Sequence, residues 1–255
     1  MSLDIGELRA NARLARFALY AQRSLLRLEV QRALNGGTLS AGTTARAKTR
    51  ICSHVVKVLG VDVSRSGEVA PRSAHGRLIV ANHRTALDIG VLMSELGGAF
   101  LSRSDVADWP VAGRLARYAE TIFVDRADQR SGARAIRAIR RRLKEGGTVI
   151  VFPEGSTYAG DEVRPFKGGA FAALRGLDVD VLPVGLAYPH GTEFVEPGFV
   201  THVRRIAARP TTPMHLSVGR PFRPQRNARD TSSQAHDIIQ DLVKNARARV
   251  KRGTE

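Results

Sequence analysis

The sequence predicts an α/β domain with a mostly parallel central sheet, covered by helices on both faces and preceded by an N-terminal helical pair. Three observations lead there. Short apolar runs such as Leu78-Ile79-Val80 and Val181-Leu182 alternate with segments of helical periodicity, the pattern of buried parallel strands joined by crossover helices. Two apolar runs end in polar segments, Ala81-Asn82-His83-Arg84-Thr85-Ala86-Leu87-Asp88 and Val151-Phe152-Pro153-Glu154-Gly155-Ser156-Thr157. Open α/β sheets place their chemistry outside the carboxyl ends of their strands. The first sixty residues, by contrast, read as helix, loop and helix.

Residues 3–34 contain no proline, only Gly6 as a weak breaker, and end before Gly36-Gly37. At 100° per residue Arg9, Arg13, Arg16, Arg23 and Arg27 form one stripe. Leu14, Phe17, Leu25 and Leu28 lie opposite it, with Leu8, Leu19 and Leu26 on its flanks. That pattern fits a helix in a membrane interface and equally a helix packed on its own domain with arginines in water. Residues 35–45 read as a loop of small residues, and a second helix is expected over 45–59, stopped by Gly60. The division expected is a helical membrane-associating region over 1–60 and an α/β domain over 61–255.

Within the second region, strands are expected at 77–81, 99–102, 120–124, 148–152, 180–186 and 213–218. Helices are expected at 88–96, 110–118, 131–145, 168–175 and 232–250. Ile136, Ile139 and Leu143 sit at helical spacing before the stop Gly146-Gly147. Asp230, Thr231 and Ser232 are N-cap residues for the last helix.

Forty Lys and Arg against 24 Asp and Glu give a formal charge of +16, which favours anionic partners: phospholipid surfaces, phosphorylated substrates or nucleic acid. No helix-turn-helix, zinc-finger or RNA-binding signature accompanies it and aromatic residues are scarce, so nucleic acid is not expected as a partner. No phosphate-binding loop or dinucleotide fingerprint is present. The single cysteine, Cys52, permits neither a disulfide framework nor a zinc site. No metal and no cofactor are expected. No run approaches the ~18 apolar residues of a membrane span, and arginines interrupt the N-terminus where a signal core would lie. The expectation is a protein kept on the cytoplasmic face of the cell membrane, peripheral or monotopic.

His83 with Asp88 five residues on offers a base and an orienting carboxylate. Glu154, the amides around Gly155, and Ser156 supply a carboxylate, anion-binding N–H groups and a hydroxyl. No Gly-x-Ser-x-Gly elbow occurs and Cys52 lies in the helical extension, so direct transfer without a covalent intermediate is the better reading.

His83 and Asp88 at this spacing, followed by Phe152-Pro153-Glu154-Gly155-Ser156, resemble the glycerolipid acyltransferase family, which includes the lysophosphatidic acid acyltransferases. The resemblance extends to Ile122-Phe123-Val124-Asp125-Arg126 and Val181-Leu182-Pro183-Val184-Gly185, four blocks in the family's order over residues 77–186. It implies that His83 and Asp88 are catalytic, that Arg126 contributes to acceptor phosphate binding, and that Glu154 helps form the acceptor site; Glu154 also reads as a structural carboxylate bonding backbone amides of the next turn, and the two roles can coexist. Gly155, Ser156 and Lys167, the last beside the helix opened by Gly168-Gly169, complete the expected substrate-binding set. It also implies acyl-CoA or acyl-carrier protein as donor, a lysophospholipid as acceptor and an anionic membrane as working surface. Two departures stand out. Ser156-Thr157 replaces a common Thr-Arg, and Glu120 stands where glycine is usual. They leave the chemistry intact and make another lysolipid, such as a lyso-ornithine lipid, a rival to 1-acylglycerol-3-phosphate; a non-catalytic basic lipid-binding protein is the remoter alternative, which would explain the charge of +16 but not the four ordered blocks.

Overall fold

The computed structural model describes residues 4–69, 75–108, 112–118, 121–125, 128–195 and 198–252. In chain order these form α1 (Ile5–Leu34), α2 (Ala41–Val58), β1 (Val61–Ser66), β2 (Arg77–Ala81), α3 (Asp88–Glu95), β3 (Ala99–Arg103), α4 (Ala112–Tyr118) and β4 (Ile122–Val124). There follow α5 (Gln129–Lys144), β5 (Thr148–Val151), α6 (Gly169–Ala172), β6 (Asp180–Ala187), α7 (Phe199–Ala208), β7 (Thr212–Val218) and α8 (Ala228–Arg252).

Among the described residues the strands make one seven-stranded sheet in the order β1-β7-β6-β2-β5-β3-β4. All neighbours are parallel except β6 and β7. Strand alternation divides the apolar residues between two layers. Ile79, Ala81, Ile150, Leu182 and Val184 meet side chains of α2, α3 and α7. Leu78, Val80, Val149, Val151 and Val181 meet those of α5, α6 and α8. Both faces are thus covered, as the apolar runs predict. Pro183, without an N–H to donate, sits between the Val184–Val218 pair and the Val181–Phe222 bridge, where the β6–β7 ladder is interrupted.

Three differences from expectation have physical causes. β1, an unexpected strand, carries only two apolar residues, Val61 and Val63, because it is an edge strand; it runs parallel to β7, which is itself antiparallel to β6. α7 follows Gly198 at φ +114 and carries Arg204 and Arg205, with Arg209 as its C-cap, around a narrow apolar stripe of Val203, Ile206 and Ala207. α2 begins at Ala41, not 45, because the Ser40 hydroxyl caps it by accepting from Thr43 N at 3.2 Å.

The N-terminal pair packs on the sheet domain, α2 against α3 and α1 against α7. Leu25 and Leu28 are buried, as expected of the face opposite the arginines. The five arginines of the stripe divide into two groups. Arg9 Nη1 donates to Ala208 O at 2.7 Å, and Arg13 donates to the carbonyls of Ala207, Arg209 and Pro210 at 2.7–3.1 Å. The last carbonyls of α7 have no partner within their own helix and carry its negative dipole end, so two cations are drawn there. Arg16, Arg23 and Arg27 remain exposed, together with Leu8, Leu19, Leu26 and Val30.

Candidate active site

β2 and β5 are hydrogen-bonded neighbours with Val80 in register with Val151. Three residues beyond each, at the carboxyl end of the sheet, stand His83 and Glu154. Between strand and histidine, the Asn82 carboxamide extends the sheet: its Nδ2 donates to Leu186 O at 3.0 Å and its Oδ1 accepts from Leu186 N at 2.7 Å. His83 therefore leaves a rigid, fully paired edge.

The chain then turns into α3, whose first residue is Asp88. One oxygen of this fully buried carboxylate, Oδ2, accepts from Arg84 N at 2.7 Å and Thr85 N at 2.9 Å, and lies 2.8 Å from His83 Nδ1. Thr85 Oγ1 accepts from Leu87 N and closes the turn. Because an ionised carboxylate only accepts, the proton between the pair belongs to Nδ1, which leaves the Nε2 lone pair for a substrate proton. Phe152 stacks on the imidazole at 3.9 Å with planes 2° apart and restricts its rotation. The His83 side chain is 17% exposed, enough to reach solvent on one edge.

Tyr188, directly after β6, stands behind the pair. Its hydroxyl is buried, makes no well-formed hydrogen bond, and faces Asp88 and Thr85. Burial first, and then the Asp88 charge, pushes the phenol well above its usual value.

Glu154 takes the structural role its sequence context also allowed, bonding main-chain amides. Its side chain is fully buried. Oε1 accepts from His83 N at 2.8 Å and Arg84 Nη1 at 3.0 Å; Oε2 accepts from Arg84 Nη1 and Arg164 N, both at 3.1 Å. It ties the histidine turn to the following loop, and its oxygens are already engaged.

Gly155, Ser156 and Lys167 line the same cavity as His83, a space of about 1010 Å³. Gly155 has φ +78, and the Lys167 side chain lies against the position a Cβ would take there. Lys167 N donates to Pro153 O at 2.8 Å, which closes the loop and brings the lysine beside the glycine. Thr157, in the common arginine's place, donates from its hydroxyl to Phe194 O at 2.5 Å. Arg126 and Glu120 lie outside the described residues.

The cavity's other walls are mostly apolar, including Phe17 and Leu28 of α1, Ile51, Cys52 and Val55 of α2, and Met93 of α3, with Lys48, Asp125 and Asp128 among the polar exceptions. Burial pushes the Cys52 thiol up to about 11, outweighing the nearby Lys48. It is thus no thiolate nucleophile at neutral pH. Among the described residues no serine or cysteine lies within hydrogen-bond reach of the His83 ring. No group of three or more His, Cys, Asp and Glu is placed there to hold a metal ion.

Sequence reasoning passed over Asn82, Arg84, Thr85, Phe152 and Tyr188. A polar residue directly after a buried strand was the available signal for Asn82; nothing local marks Tyr188, which meets the site only through the β2–β6 pairing.

The acyltransferase family's sequence model matches residues 60–187. A 1-acyl-sn-glycerol-3-phosphate acyltransferase of Neisseria gonorrhoeae is 32% identical over 130 residues, 51% of this chain and 50% of that protein. A lyso-ornithine lipid O-acyltransferase of Rhodobacter capsulatus is 32% identical over 189 residues, 69% of this chain and 66% of that protein. The chain therefore spans about half the length of several curated relatives it matches. The crystal structure of the 1-acyl-sn-glycerophosphate acyltransferase PlsC from Thermotoga maritima superposes with a TM-score of 0.66 at 20% identity, covering 92% of this chain and 98% of that one, which is a likeness of fold. With a matched segment that runs from the start of the sheet through the His83–Asp88 pair and the Glu154 loop to the end of β6, the chain belongs to the acyltransferase family.

Proposed function

We propose that this protein transfers a fatty acyl group from a thioester donor, acyl-CoA or acyl-carrier protein, to the hydroxyl of a lysolipid at a membrane surface. The observation that carries this reading is the His83 Nδ1–Asp88 Oδ2 contact of 2.8 Å at the rim of a large, mostly apolar cavity. Nε2 of His83 takes the acceptor hydroxyl's proton as its oxygen attacks the thioester carbonyl carbon. The C–S bond breaks, the thiolate leaves, and the imidazolium held by Asp88 returns the proton to sulfur. The thioester is already activated, so no acyl-enzyme is needed. The apolar walls suit acyl chains. Amides around Gly155, with Ser156 and Lys167, suit a polar or anionic head group.

The acceptor favoured is 1-acylglycerol-3-phosphate, giving phosphatidic acid. The Thr157 position favours a second reading, acylation of a lyso-ornithine lipid, because the hydroxyl tied to Phe194 supplies no cation where an arginine commonly stands. The working surface in either case is an anionic membrane on its cytoplasmic face, approached by α1. Purified protein given labelled acyl-CoA and a panel of lysolipids in vesicles tests both. Transfer to a phosphate-bearing lysolipid supports the first reading, transfer confined to the ornithine acceptor supports the second, and no His83-dependent transfer to any lysolipid rejects both.

A further inference from the structure

Arg84 directly follows His83, is 3% exposed, and has no part in the proton transfer. Its guanidinium nevertheless reaches in three directions. Nη1 donates to His83 O at 2.8 Å and lies 3.0 and 3.1 Å from the two oxygens of Glu154. Nε donates to Gly160 O at 2.7 Å, and Nη2 to Glu162 O at 2.8 Å. The main chain of the same residue makes two more links: Arg84 N donates to Asp88, and Arg84 O accepts from Phe194 N at 2.8 Å. One residue thus joins the His83–Asp88 turn, the loop from Pro153 to Arg164, and the segment that ends at Phe194. His83, Pro153 and Phe194 all line the cavity.

We propose that Arg84 is a positioning residue for acyl transfer, which sets the His83 main chain and the loop bearing Gly155 and Ser156 as one rigid unit. The proposal rests on the His83-dependent transfer described above. Glu154 alone cannot do this, because it only accepts, and the groups of Gly160 and Glu162 that face Arg84 are carbonyl oxygens, which need a donor. The five donors of a guanidinium, fixed in one plane, match this ring of acceptors, whereas a lysine ammonium is a single head on a flexible stem. Burying the Arg84–Glu154 charges carries a desolvation penalty that is offset where the other polar atoms are engaged, and here each guanidinium nitrogen and both Glu154 oxygens have a partner. Loosening the unit displaces the base relative to the acceptor hydroxyl, and misplacement by about 1 Å can lower a rate about 10²-fold.

The test uses the full chain with Arg84→Lys, which keeps a positive charge opposite Glu154. Acyl-CoA and lysolipid vesicles are the substrates, with His83→Ala as the reference for lost chemistry. The expected result is a folded protein whose kcat is about 10- to 10²-fold lower and whose KM for the acceptor is higher, with the KM for acyl-CoA within about twofold of the parent. Hydrogen exchange should quicken together in residues 83–88 and 153–164. A folded Arg84→Lys protein with parental kcat and acceptor KM overturns the proposal, as does faster exchange in only one segment. If Arg84→Lys does not fold, the paired variant Arg84→Met with Glu154→Met removes both charges. Parental kcat in that folded pair overturns the proposal, and loss of kcat supports it. A parent without His83-dependent transfer rejects the functional reading, while the exchange measurement still decides whether Arg84 couples the two segments.

Discussion

The main-chain nitrogen of His83 stands 2.8 Å from Oε1 of Glu154. This bond joins the ends of two neighbouring parallel strands, and it exists because Val80 and Val151 are in register. A slip of one residue would turn every side chain of a strand to the other face, so sheet packing and site geometry are set by the same pairing. The proposed base is held from both sides: Asp88 orients its ring, and Glu154 fixes its backbone.

Replacing His83 by Ala should leave the fold intact and lower acyl transfer by about 10²- to 10⁴-fold, the range of a lost general base. Asp88→Asn should also be severely impaired. An asparagine oxygen can take the place of Oδ2 and accept from Arg84 N and Thr85 N, but it carries no charge to stabilise the imidazolium. Steady-state rates on lysolipid vesicles check both, and near-parental turnover by either variant would remove the mechanism.

Glu154→Gln should act through stability as well as rate. It leaves the buried Arg84 guanidinium without a counter-charge, and breaking one side of a buried pair typically costs about 3–5 kcal/mol. For a chain of this size each kcal/mol corresponds to roughly 2–4 °C in Tm, so thermal melting should show a drop of about 6 °C or more. A surface carboxylate touching only substrate would melt like the parent.

The elements most legible in the sequence were those whose residues answer to local rules. β2 and β5 are continuous apolar runs, and α5 ends at a double glycine after Ile136, Ile139 and Leu143. His83 and Asp88 were legible because a turn of fixed length brings them together. The role of Glu154 was less so: its partners are a main-chain nitrogen on another strand and an arginine 70 positions away. Nothing near Glu154 in sequence marks it as buried. Tyr188 faces Asp88 only through the β2–β6 pairing, and Thr157 reaches Phe194 only where two loops beyond the sheet meet. Edge strand β1 lacked a pattern because an edge needs few apolar residues, and α7 was obscured by arginines whose partners lie elsewhere in the fold.

A pH effect on stability is expected at the β1–β7 edge. His215 is nearly buried, with Nδ1 2.8 Å from Ser64 Oγ and Nε2 2.9 Å from Ser66 Oγ. Burial first, and Arg249 second, hold its pKa below the usual value. The unfolded chain therefore binds this proton more readily than the folded one. The contribution of the neutral ring is fully present above about pH 6.5, the unfolded value. It is lost as the pH falls from there toward the lower folded value, and then levels off. Urea unfolding at pH 7.5 and pH 5.5 should show the parent losing more stability than His215→Asn. Equal losses would mean that the ring titrates alike in both states.

The division of the α1 arginines gives two variants with opposite expected behaviour. Arg16, Arg23 and Arg27 are exposed beside Leu8, Leu19 and Leu26, a mixture suited to an interface in which leucines enter the head-group region and arginines meet anionic lipid. Each basic residue near such a surface contributes about 1 kcal/mol. Changing all three arginines to Gln should therefore weaken binding to anionic vesicles by about 10²-fold at low salt, with Tm unchanged. Raising the ionic strength should erase most of that difference, because the screening length shortens to roughly 8 Å at physiological salt. Arg9 and Arg13 should behave the other way. They hold the last carbonyls of α7, where a cation contributes up to about 2 kcal/mol, so Arg9→Gln with Arg13→Gln should lower Tm by several degrees. Vesicle binding by that variant, measured below its melting temperature, should stay close to the parent. If it lost binding as steeply as the outer triple variant, the two groups would be one electrostatic surface, and the contacts to α7 would give way when α1 meets the membrane.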